Sequence, residues 1–314
     1  MKKILITGCA GFIGYNLTLY LLKKNYKIYG IDNLDSYYSI KLKKKRLLEL
    51  KKFKNFIFIK LDLKKKIENK KLNTNFSIII HMAAQAGVKE SVKNPRKTIN
   101  NNINAFLELL EFARLKQIKN IIYASSSTVY GKNNIPFSEY EKTDTPLSIY
   151  GASKIANENM AYAYHNLYNI NFFGLRLFTV YGKSLRPDMA LSKFINNIKK
   201  EKDISLYNYG KNMRDFTYID DVVLKIFRII KLLEKNKRKN IFEVINLGNG
   251  EKISTLDVIK NLNKIFKKKF KIRLLPKSKD DMFITQSCTK KQKKLFKKLN
   301  YTKFKDGIQK YIIG

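Results

Sequence analysis

Residues 150–154 read YGASK. On a helix Tyr150 and Lys154 stand four residues apart and share one face. A phenol with its ordinary pKa near 10 is no base at neutral pH. An ammonium a few ångströms away favours the phenolate and lowers that pKa, so the pair can act as a base towards an alcohol. Y-x-x-x-K alone arises readily by chance, and on a surface helix it would carry no chemistry. Here it follows a run of hydroxyl residues, YASSSTVYG at 123–131, at the end of a predicted strand. Parallel sheets place ligands at the C-terminal ends of their strands. A serine there can hydrogen-bond the reacting oxygen.

A second constellation supplies the redox partner that such a base needs. In ITGCAGFIGYNL, Gly8, Gly11 and Gly14 follow an apolar segment and open a helix. The spacing is G-x-x-G-x-x-G. Glycines there permit a tight turn and bring backbone N–H groups close to a pyrophosphate at a helix N-terminus. Glycine spacing alone is weak, since a plain strand–turn–helix would show it too. Asp32 strengthens it. It ends the second apolar segment, eighteen residues after Gly14, where a carboxylate accepts hydrogen bonds from the adenosine ribose. The same charge repels a 2′-phosphate, so NAD is expected rather than NADP. Lys154 would then also hydrogen-bond the nicotinamide ribose, and Tyr150 would serve an alcohol carbon that gives up hydride. Asp62, in LDL after the third apolar segment, has two readings, an adenine contact and a helix cap.

The elements that must position these groups are legible from periodicity. Apolar runs at 3–7, 27–31, 56–60, 76–81, 120–125 and 171–177 alternate with helically spaced segments at 12–24, 40–51, 95–115 and 151–168. This predicts an α/β fold with a doubly wound parallel (Rossmann) sheet. The runs are too continuously apolar for a sheet with one wet face. Beyond 181 the pattern loosens. Helices are predicted at 219–235 and 254–266 around a strand at 242–247, while 183–213 and 271–287 read as irregular. The expected division is an NAD-binding domain over 1–181 and a smaller, mainly substrate-binding domain over 182–314, with about 214–248 returning to the first.

Composition excludes several classes. The 314 residues are 44% hydrophobic and 12% aromatic, too apolar for a disordered chain. No stretch approaches the roughly 20 apolar residues of a membrane span. The opening MKKILITGCAGFIG breaks at glycines at once and reads as a strand and turn rather than a signal peptide. Cys9 and Cys288 make no disulfide framework, so a reducing cytoplasm is expected; with only two His there is no metal-ligand spacing. Cys9 reads as a small packing side chain in the turn. His81, at a strand end, could line the cofactor pocket, but the reading preferred is a satisfied core histidine. The net charge is +39, and only nine of the 64 basic residues are Arg. Lysines are spread along the chain, clustering at 41–46, 267–271 and 290–294, and abundant Lys, Asn and Ile fit the codon bias of an AT-rich genome. We read a solvated lysine surface, with no specific nucleic-acid or membrane partner. Its field attracts polyanions at low salt and steers an acidic substrate.

Taken together, the TGxxGxxG turn, SSSTVYG and YGASK resemble the extended short-chain dehydrogenase/reductase superfamily over essentially the whole chain. More narrowly, IDNLDSYYSIKLKKKRL, HMAAQAGVKESVKNP, LRLFTVYGKSLRPDMA and RDFTYIDD resemble the UDP-glucuronate 4-epimerases. The resemblance implies that Tyr150 takes the proton of a sugar 4-hydroxyl while hydride leaves C4 for tightly held NAD. The 4-keto sugar then turns over and receives the hydride on its other face. Lys154 would tune Tyr150 and hold the ribose, and Ser126 matches the catalytic Ser/Thr. The cofactor would be bound by Gly8, Gly11, Phe12, Ile13, Gly14, Asp32, Asn33, Asp62, Leu63, Ala83, Ala84, Gln85, Asn101 and Phe178, with Tyr150 and Lys154. The UDP-sugar would be bound by Ser126, Ser127, Thr128, Thr179, Arg186, Tyr207, Asn208, Arg214 and Asp281. Within that set, Thr179 and Arg186 face the carboxylate, Arg214 the pyrophosphate, and Tyr207 and Asn208 the uridine. Oxidising C4 of a glucuronate makes a β-keto acid, which loses CO2 readily, so an Arg that fixes the carboxylate has a reason to be there.

The chain departs from the family at Lys183-Ser184-Leu185, where a Pro-Trp-Gly-like step is common, and at Lys279-Asp280-Asp281, where Pro-Gly-Asp is common; both bear on substrate preference. Related dehydratases and uronate decarboxylases resemble one another in carrying a Glu before the Val of VYG. This chain has Thr128 there, which disfavours both. A 4-epimerase of UDP-glucose or UDP-N-acetylglucosamine is the nearest alternative, though it leaves Arg186 without a purpose. A nucleic-acid-binding protein on a retired scaffold would suit the charge but would not need Tyr150, Lys154 and Ser126 together. The resemblance further implies a homodimer through helices near 95–115 and 151–168, and a product feeding surface polysaccharides.

Overall fold

The computed structural model describes residues 1–235, 240–276, 283–297 and 301–313. In chain order it runs β1 (Lys3–Thr7), α1 (Phe12–Lys23), β2 (Lys27–Asp32), α2 (Ile40–Leu50), β3 (Phe56–Lys60), β4 (Ile78–His81), α3 (Val88–Lys93), α4 (Pro95–Ile99), a π-helical turn (Asn100–Asn104), α5 (Ala105–Leu115), β5 (Asn120–Ser126), a 3-10 turn (Ser127–Tyr130), α6 (Ile149–Tyr168) and β6 (Asn171–Leu177). It continues through β7 (Thr179–Tyr181), α7 (Ala190–Lys199), β8 (Ile204–Leu206), β9 (Met213–Tyr218), α8 (Ile219–Lys235), β10 (Phe242–Leu247), β11 (Lys252–Ser254), α9 (Thr255–Phe266), β12 (Ile272–Leu274), α10 (Lys290–Leu295) and α11 (Phe304–Ile313).

The chain divides into two compact units. The first holds Met1–Lys132, Lys142–Arg176 and Val223–Ile245; the second holds Asn133–Glu141, Leu177–Val222 and Asn246–Gly314. The expected boundary at 181 thus lies at 176/177, and the segment returning to the first unit is 223–245, shorter than 214–248. Asn133–Glu141 belongs to the second unit because Phe137 is anchored there. Its N–H donates to Gln286 O at 2.8 Å, its carbonyl accepts from Cys288 N at 2.8 Å, and its ring is 1% exposed.

In the first unit the strand order is β10-β6-β5-β4-β1-β2-β3. β1 pairs in parallel with both β2 and β4, as do β2 with β3 and β4 with β5. The chain therefore steps outward from β1 to β3, then crosses back to β4 on the other side. That reversal makes the C-terminal ends of β1 and β4 the crevice where such sheets bind ligands. Both sheet faces are covered, which is why the strands read as unbroken apolar runs. Leu5, Ile79, Phe106, Leu109, Ile121 and Phe172 share one core cluster, each fully buried. Side chains of this size contribute roughly 1.5–3 kcal/mol each when buried.

The expected helix over 95–115 is not continuous. A π turn at Asn100–Asn104 separates α4 from α5, and such turns recur at functional sites. In the second unit, β7 pairs in parallel with β9, which pairs antiparallel with β11; β8 and β12 form a separate parallel pair. The segments read as irregular thus contain structure. Strands of three residues are too short to show a period of two. Helix α7 was concealed by its Lys and Asn, although Leu191, Phe194, Ile195 and Ile198 are buried at helical spacing. Among the described residues, no helix is long and apolar enough to cross a membrane, and no His/Cys/Asp/Glu group is arranged to hold a metal ion.

Candidate active site

The first turn of α6 explains each residue of YGASK. Ser148 caps the helix, its side chain accepting from Gly151 N at 3.0 Å. A Cβ on Gly151 would lie 2.8 Å from Thr128 O, so glycine lets the helix start press against the turn after β5. Ser153 Oγ donates to Tyr150 O at 2.8 Å and accepts from Asn102 Nδ2 at 2.9 Å. Lys154 is 1% exposed and donates from Nζ to Ala124 O at 2.8 Å. That bond holds it at the end of β5, with Nζ 6.0 Å from the centre of the Tyr150 ring. Burial pulls its pKa down to about 8, against the opposing pull of Glu158. The ammonium is thus poised near neutrality, where a neighbouring phenolate would hold its proton in place.

At the end of β5, Ser126 is 8% exposed, and its Oγ accepts from Thr128 N at 3.2 Å and from Thr128 Oγ1 at 2.9 Å. Ser127 is buried and Thr128 half-buried. The structure therefore brings Ser126, Ser127, Thr128, Tyr150 and Lys154 to one place, the β5 end against the α6 start. No carboxylate stands at position 128. Arg176 on β6 binds Glu158 on α6 with both arms of its guanidinium, Nε to Oε1 at 3.0 Å and the second arm to Oε2 at 2.7 Å. Ser125 Oγ donates to the same Glu158 Oε1 at 2.5 Å, and Arg176 Cζ lies 4.7 Å from the Tyr130 ring centre.

The glycine turn is tight. Gly8 has φ +72°, and a Cβ on it would lie 2.7 Å from Ala83 N; a Cβ on Gly14 would lie 2.1 Å from Gly8 O. The ends of β1 and β4 meet at these glycines. Gly11, the N-cap of α1, has no side-chain capping bond, and the first turn carries no acidic residue, so nothing competes with an anion there. Phe12 is buried and Ile13 half-buried beside it. Asp32 takes Ala10 N at 3.1 Å on one oxygen and Leu34 N at 2.8 Å on the other. Each carboxylate oxygen has a second lone pair for a ribose hydroxyl. Asn33 Oδ1 accepts from Asp35 N at 3.0 Å. These residues fit a dinucleotide.

Asp62 accepts from Lys64 N at 3.1 Å and pairs with Lys64 Nζ at 3.3 Å, in a turn rather than at a regular helix. Leu63 is in the core. Of the segment after β4, Ala83 is half-buried, Ala84 exposed and Gln85 buried. His81 is buried with Nδ1 2.8 Å from Thr7 Oγ1, and burial, helped by Lys154, drives its pKa down to about 3. It is a neutral core histidine, as preferred above.

Two features went unread in the sequence. Asn101 turns back on its own helix, donating to Lys97 O at 2.9 Å. Its neighbour Asn102 is 1% exposed; it accepts from Gln85 N at 2.8 Å and donates to Gln85 O at 3.1 Å and to Ser153 Oγ at 2.9 Å. It ties the segment after β4 to the helix that carries Tyr150. Asparagines inside an apolar helix pattern were the available signal. The run KLKKKR is likewise not a purely solvated face. Lys43 and Arg46 are buried; Lys43 Nζ donates to Asp35 O at 2.8 Å, and Arg46 to Ala10 O at 2.8 Å and Tyr38 OH at 2.9 Å. They brace the glycine turn and the loop after Asp32.

The remaining expected residues lie in the second unit. Phe178 is buried, its N–H donating to Leu247 O at 3.3 Å. Thr179 opens β7 opposite Phe216 of β9, and Arg214 stands two residues before Phe216, opposite Ile253 of β11. Arg214 donates to Met213 O at 2.8 Å and Phe283 O at 3.2 Å. Arg186 forms a two-armed pair with Asp188, at 3.0 and 2.9 Å. Tyr207 is 47% exposed. Asn208, with φ 52°, donates from Nδ2 to Asn212 Oδ1 at 2.8 Å. Asp281 lies outside the described residues, as do Lys279 and Asp280.

The chain is similar to known proteins over most of its length. A model of the NAD dependent epimerase/dehydratase family matches residues 4–248. A UDP-glucuronate 4-epimerase of Thermodesulfobacterium geofontis is 38% identical over 99% of this chain and 95% of its own. The crystal structure of UDP-glucuronic acid 4-epimerase from Bacillus cereus, in complex with UDP-glucuronic acid and NAD, has a TM-score of 0.88 at 33% identity, covering 98% of this chain and 97% of that one. A UDP-N-acetylglucosamine 4-epimerase from Methanobrevibacter ruminantium has a TM-score of 0.87 at 26% identity, covering 99% and 97%. With its glycine turn, Asp32 and the Tyr150–Lys154 pair in one parallel-sheet unit, the chain belongs to the NAD dependent epimerase/dehydratase family.

Proposed function

We propose that this protein is an NAD-dependent 4-epimerase of UDP-sugars that interconverts UDP-glucuronate and UDP-galacturonate. The observation that carries the reading is the β5–α6 junction, where Tyr150, buried Lys154 and Ser126 meet and position 128 carries Thr rather than a carboxylate. Bound NAD would supply the acceptor for hydride from C4 of the sugar and the donor for its return. It would be held by the backbone of Gly8 to Gly14, by Asp32 and by Lys154. Tyr150 removes the proton of the 4-hydroxyl and gives it back after the keto sugar has turned. Ser126 hydrogen-bonds the oxygen on which charge changes. A dehydratase would need a carboxylate beside these groups to take the C5 proton, and Thr128 supplies none.

The preference for a uronate rests on Arg186. Its two-armed pair with Asp188 shows the fork geometry in which a guanidinium grips a carboxylate, and a uronate carboxylate would take over or share the donors that Asp188 holds. Thr179 would assist it, Arg214 would meet the pyrophosphate, and Tyr207 and Asn208 the uracil. We also propose a cytoplasmic homodimer using helices α5 and α6, on which Leu107, Leu115 and Tyr162 stay exposed. The test is proton NMR of the protein with UDP-glucuronate, with and without added NAD. The expected result is UDP-galacturonate, abolished by Tyr150→Phe. Release of CO2 and a UDP-pentose would instead identify a decarboxylase, and turnover of UDP-N-acetylglucosamine alone would move the substrate class away from uronates.

A further inference from the structure

Beyond Tyr150 and Lys154, the same helix face carries a third polar group. Tyr150, Lys154 and Glu158 follow one another at intervals of four, each about 6 Å further along the axis. Glu158 is buried, as Lys154 is. Two strands converge on its carboxylate: Ser125 from β5 at 2.5 Å, and Arg176 from β6 with both arms at 3.0 and 2.7 Å. Ser125 stands between Ala124, whose carbonyl accepts from Lys154 Nζ at 2.8 Å, and Ser126 of the proposed site. Glu158 therefore anchors the strand end to which the lysine is tethered, one helical turn away from that lysine.

We propose that Glu158 is a positioning residue for the proton transfer: its carboxylate keeps Lys154 in the charged form and at the place where it can sustain the Tyr150 phenolate. This rests on the Tyr150–Lys154 reading above. A buried ammonium is costly unless an anion stands near it. Around Lys154, Glu158 is the negative group and favours its charge. His81, across β4, is neutral and adds no opposing charge. The Arg176 cation is engaged by both oxygens of the carboxylate and so orients Glu158. Glu158 also acts directly on Tyr150, in the opposite sense, because a negative charge disfavours a phenolate. That effect is the weaker, since Tyr150 is about 12 Å along the axis from Glu158 and Lys154 only about 6 Å. Removing the negative charge should therefore raise the pKa of Tyr150.

The experiment is an ultraviolet difference titration at 295 nm, with Tyr150→Phe as the blank in each background, run on the NAD-loaded protein. Glu158→Gln is expected to raise the Tyr150 pKa by roughly one unit or more, with the acid limb of the kcat profile moving up equally. Ser125→Ala, which keeps the carboxylate, is expected to leave both within about 0.3 unit. Glu158→Gln leaves Arg176 buried without its anion, so the Glu158→Gln/Arg176→Gln double variant keeps a neutral hydrogen-bonded pair and is expected to shift in the same direction by less. An unshifted or lowered Tyr150 pKa in folded protein of either variant overturns the proposal. Lys154→Met separates the two levels. If it also fails to move Tyr150, the phenol–ammonium reading itself is wrong; if it moves Tyr150 and Glu158→Gln does not, only the role of Glu158 falls.

Discussion

Replacing Asn102 by leucine tests whether this side chain, rather than its neighbour Asn101, ties the sheet to the catalytic helix. Leucine keeps the branching at Cγ but is larger, so it overpacks this buried site, and it offers no hydrogen bonds. The substitution strips partners from both the N–H and the carbonyl of Gln85, held now at 2.8 and 3.1 Å, and from one side of Ser153 Oγ. A buried backbone group left without a partner costs about 1–3 kcal/mol, so the two together cost about 2–6 kcal/mol. Apolar burial of the leucine returns about 1–2 kcal/mol. The net loss, with overpacking of about 1–3 kcal/mol included, is about 1–8 kcal/mol, a fall in Tm on the order of 1.5–12 °C for a chain of this length. Urea unfolding measures it directly, and a titration with NAD should show weakened binding, because the Gln85 segment loses its tether. Asn101→Leu breaks one local helix bond and should cost under about 1 kcal/mol. Equal stabilities for the two variants, or an Asn102→Leu protein within about 0.5 kcal/mol of the parent, would refute the reasoning.

Three further outcomes follow from the same geometry. Lys154→Met should abolish turnover yet stabilise the protein without cofactor. The lysine pKa is lowered from 10.5 to about 8 on folding, so the unfolded chain binds more protons between those values and the parent gains stability as pH rises through them. The advantage of methionine is thus at most about 3 kcal/mol below pH 8, less what the lost bond to Ala124 costs, and should fade towards pH 10.5 in urea titrations across pH. Gly151→Ala places a Cβ 2.8 Å from Thr128 O while adding up to about 1 kcal/mol of helix propensity. Its kcat should fall at least about tenfold, with Tm nearly unchanged; a fully active variant would mean that the α6 start can move freely. Arg186→Met should lower kcat/KM for UDP-glucuronate by roughly 100-fold, as loss of a two-armed charged bond implies, and should release CO2 in a coupled assay. Unchanged kcat/KM would remove Arg186 from the carboxylate site.

Much of this protein was settled by local chemistry that a linear pattern displays. Strands buried on both faces must be apolar throughout, so β1 to β6 stand out as runs. A turn needing Gly8 at φ +72° and a Cβ-free Gly14 must show glycines, and a phenol and ammonium that share a helix face must be four residues apart. Family motifs carried the expectation of substrate and cofactor beyond what spacing could supply. Tertiary structure decided what depends on partners distant in sequence. Asn101 and Asn102 are identical as letters, and only the path of the π turn sends Asn102 to Gln85 and Ser153. Lys43 and Arg46 look like any others among 55 lysines and nine arginines; burial against the glycine turn and Asp35 separates them from the solvated majority. The same holds for Glu158, whose partners Ser125 and Arg176 come from two different strands. Burial and pairing are properties of the folded whole, set by contacts between elements, and a charge in a sequence carries no mark of which side of the surface it will occupy.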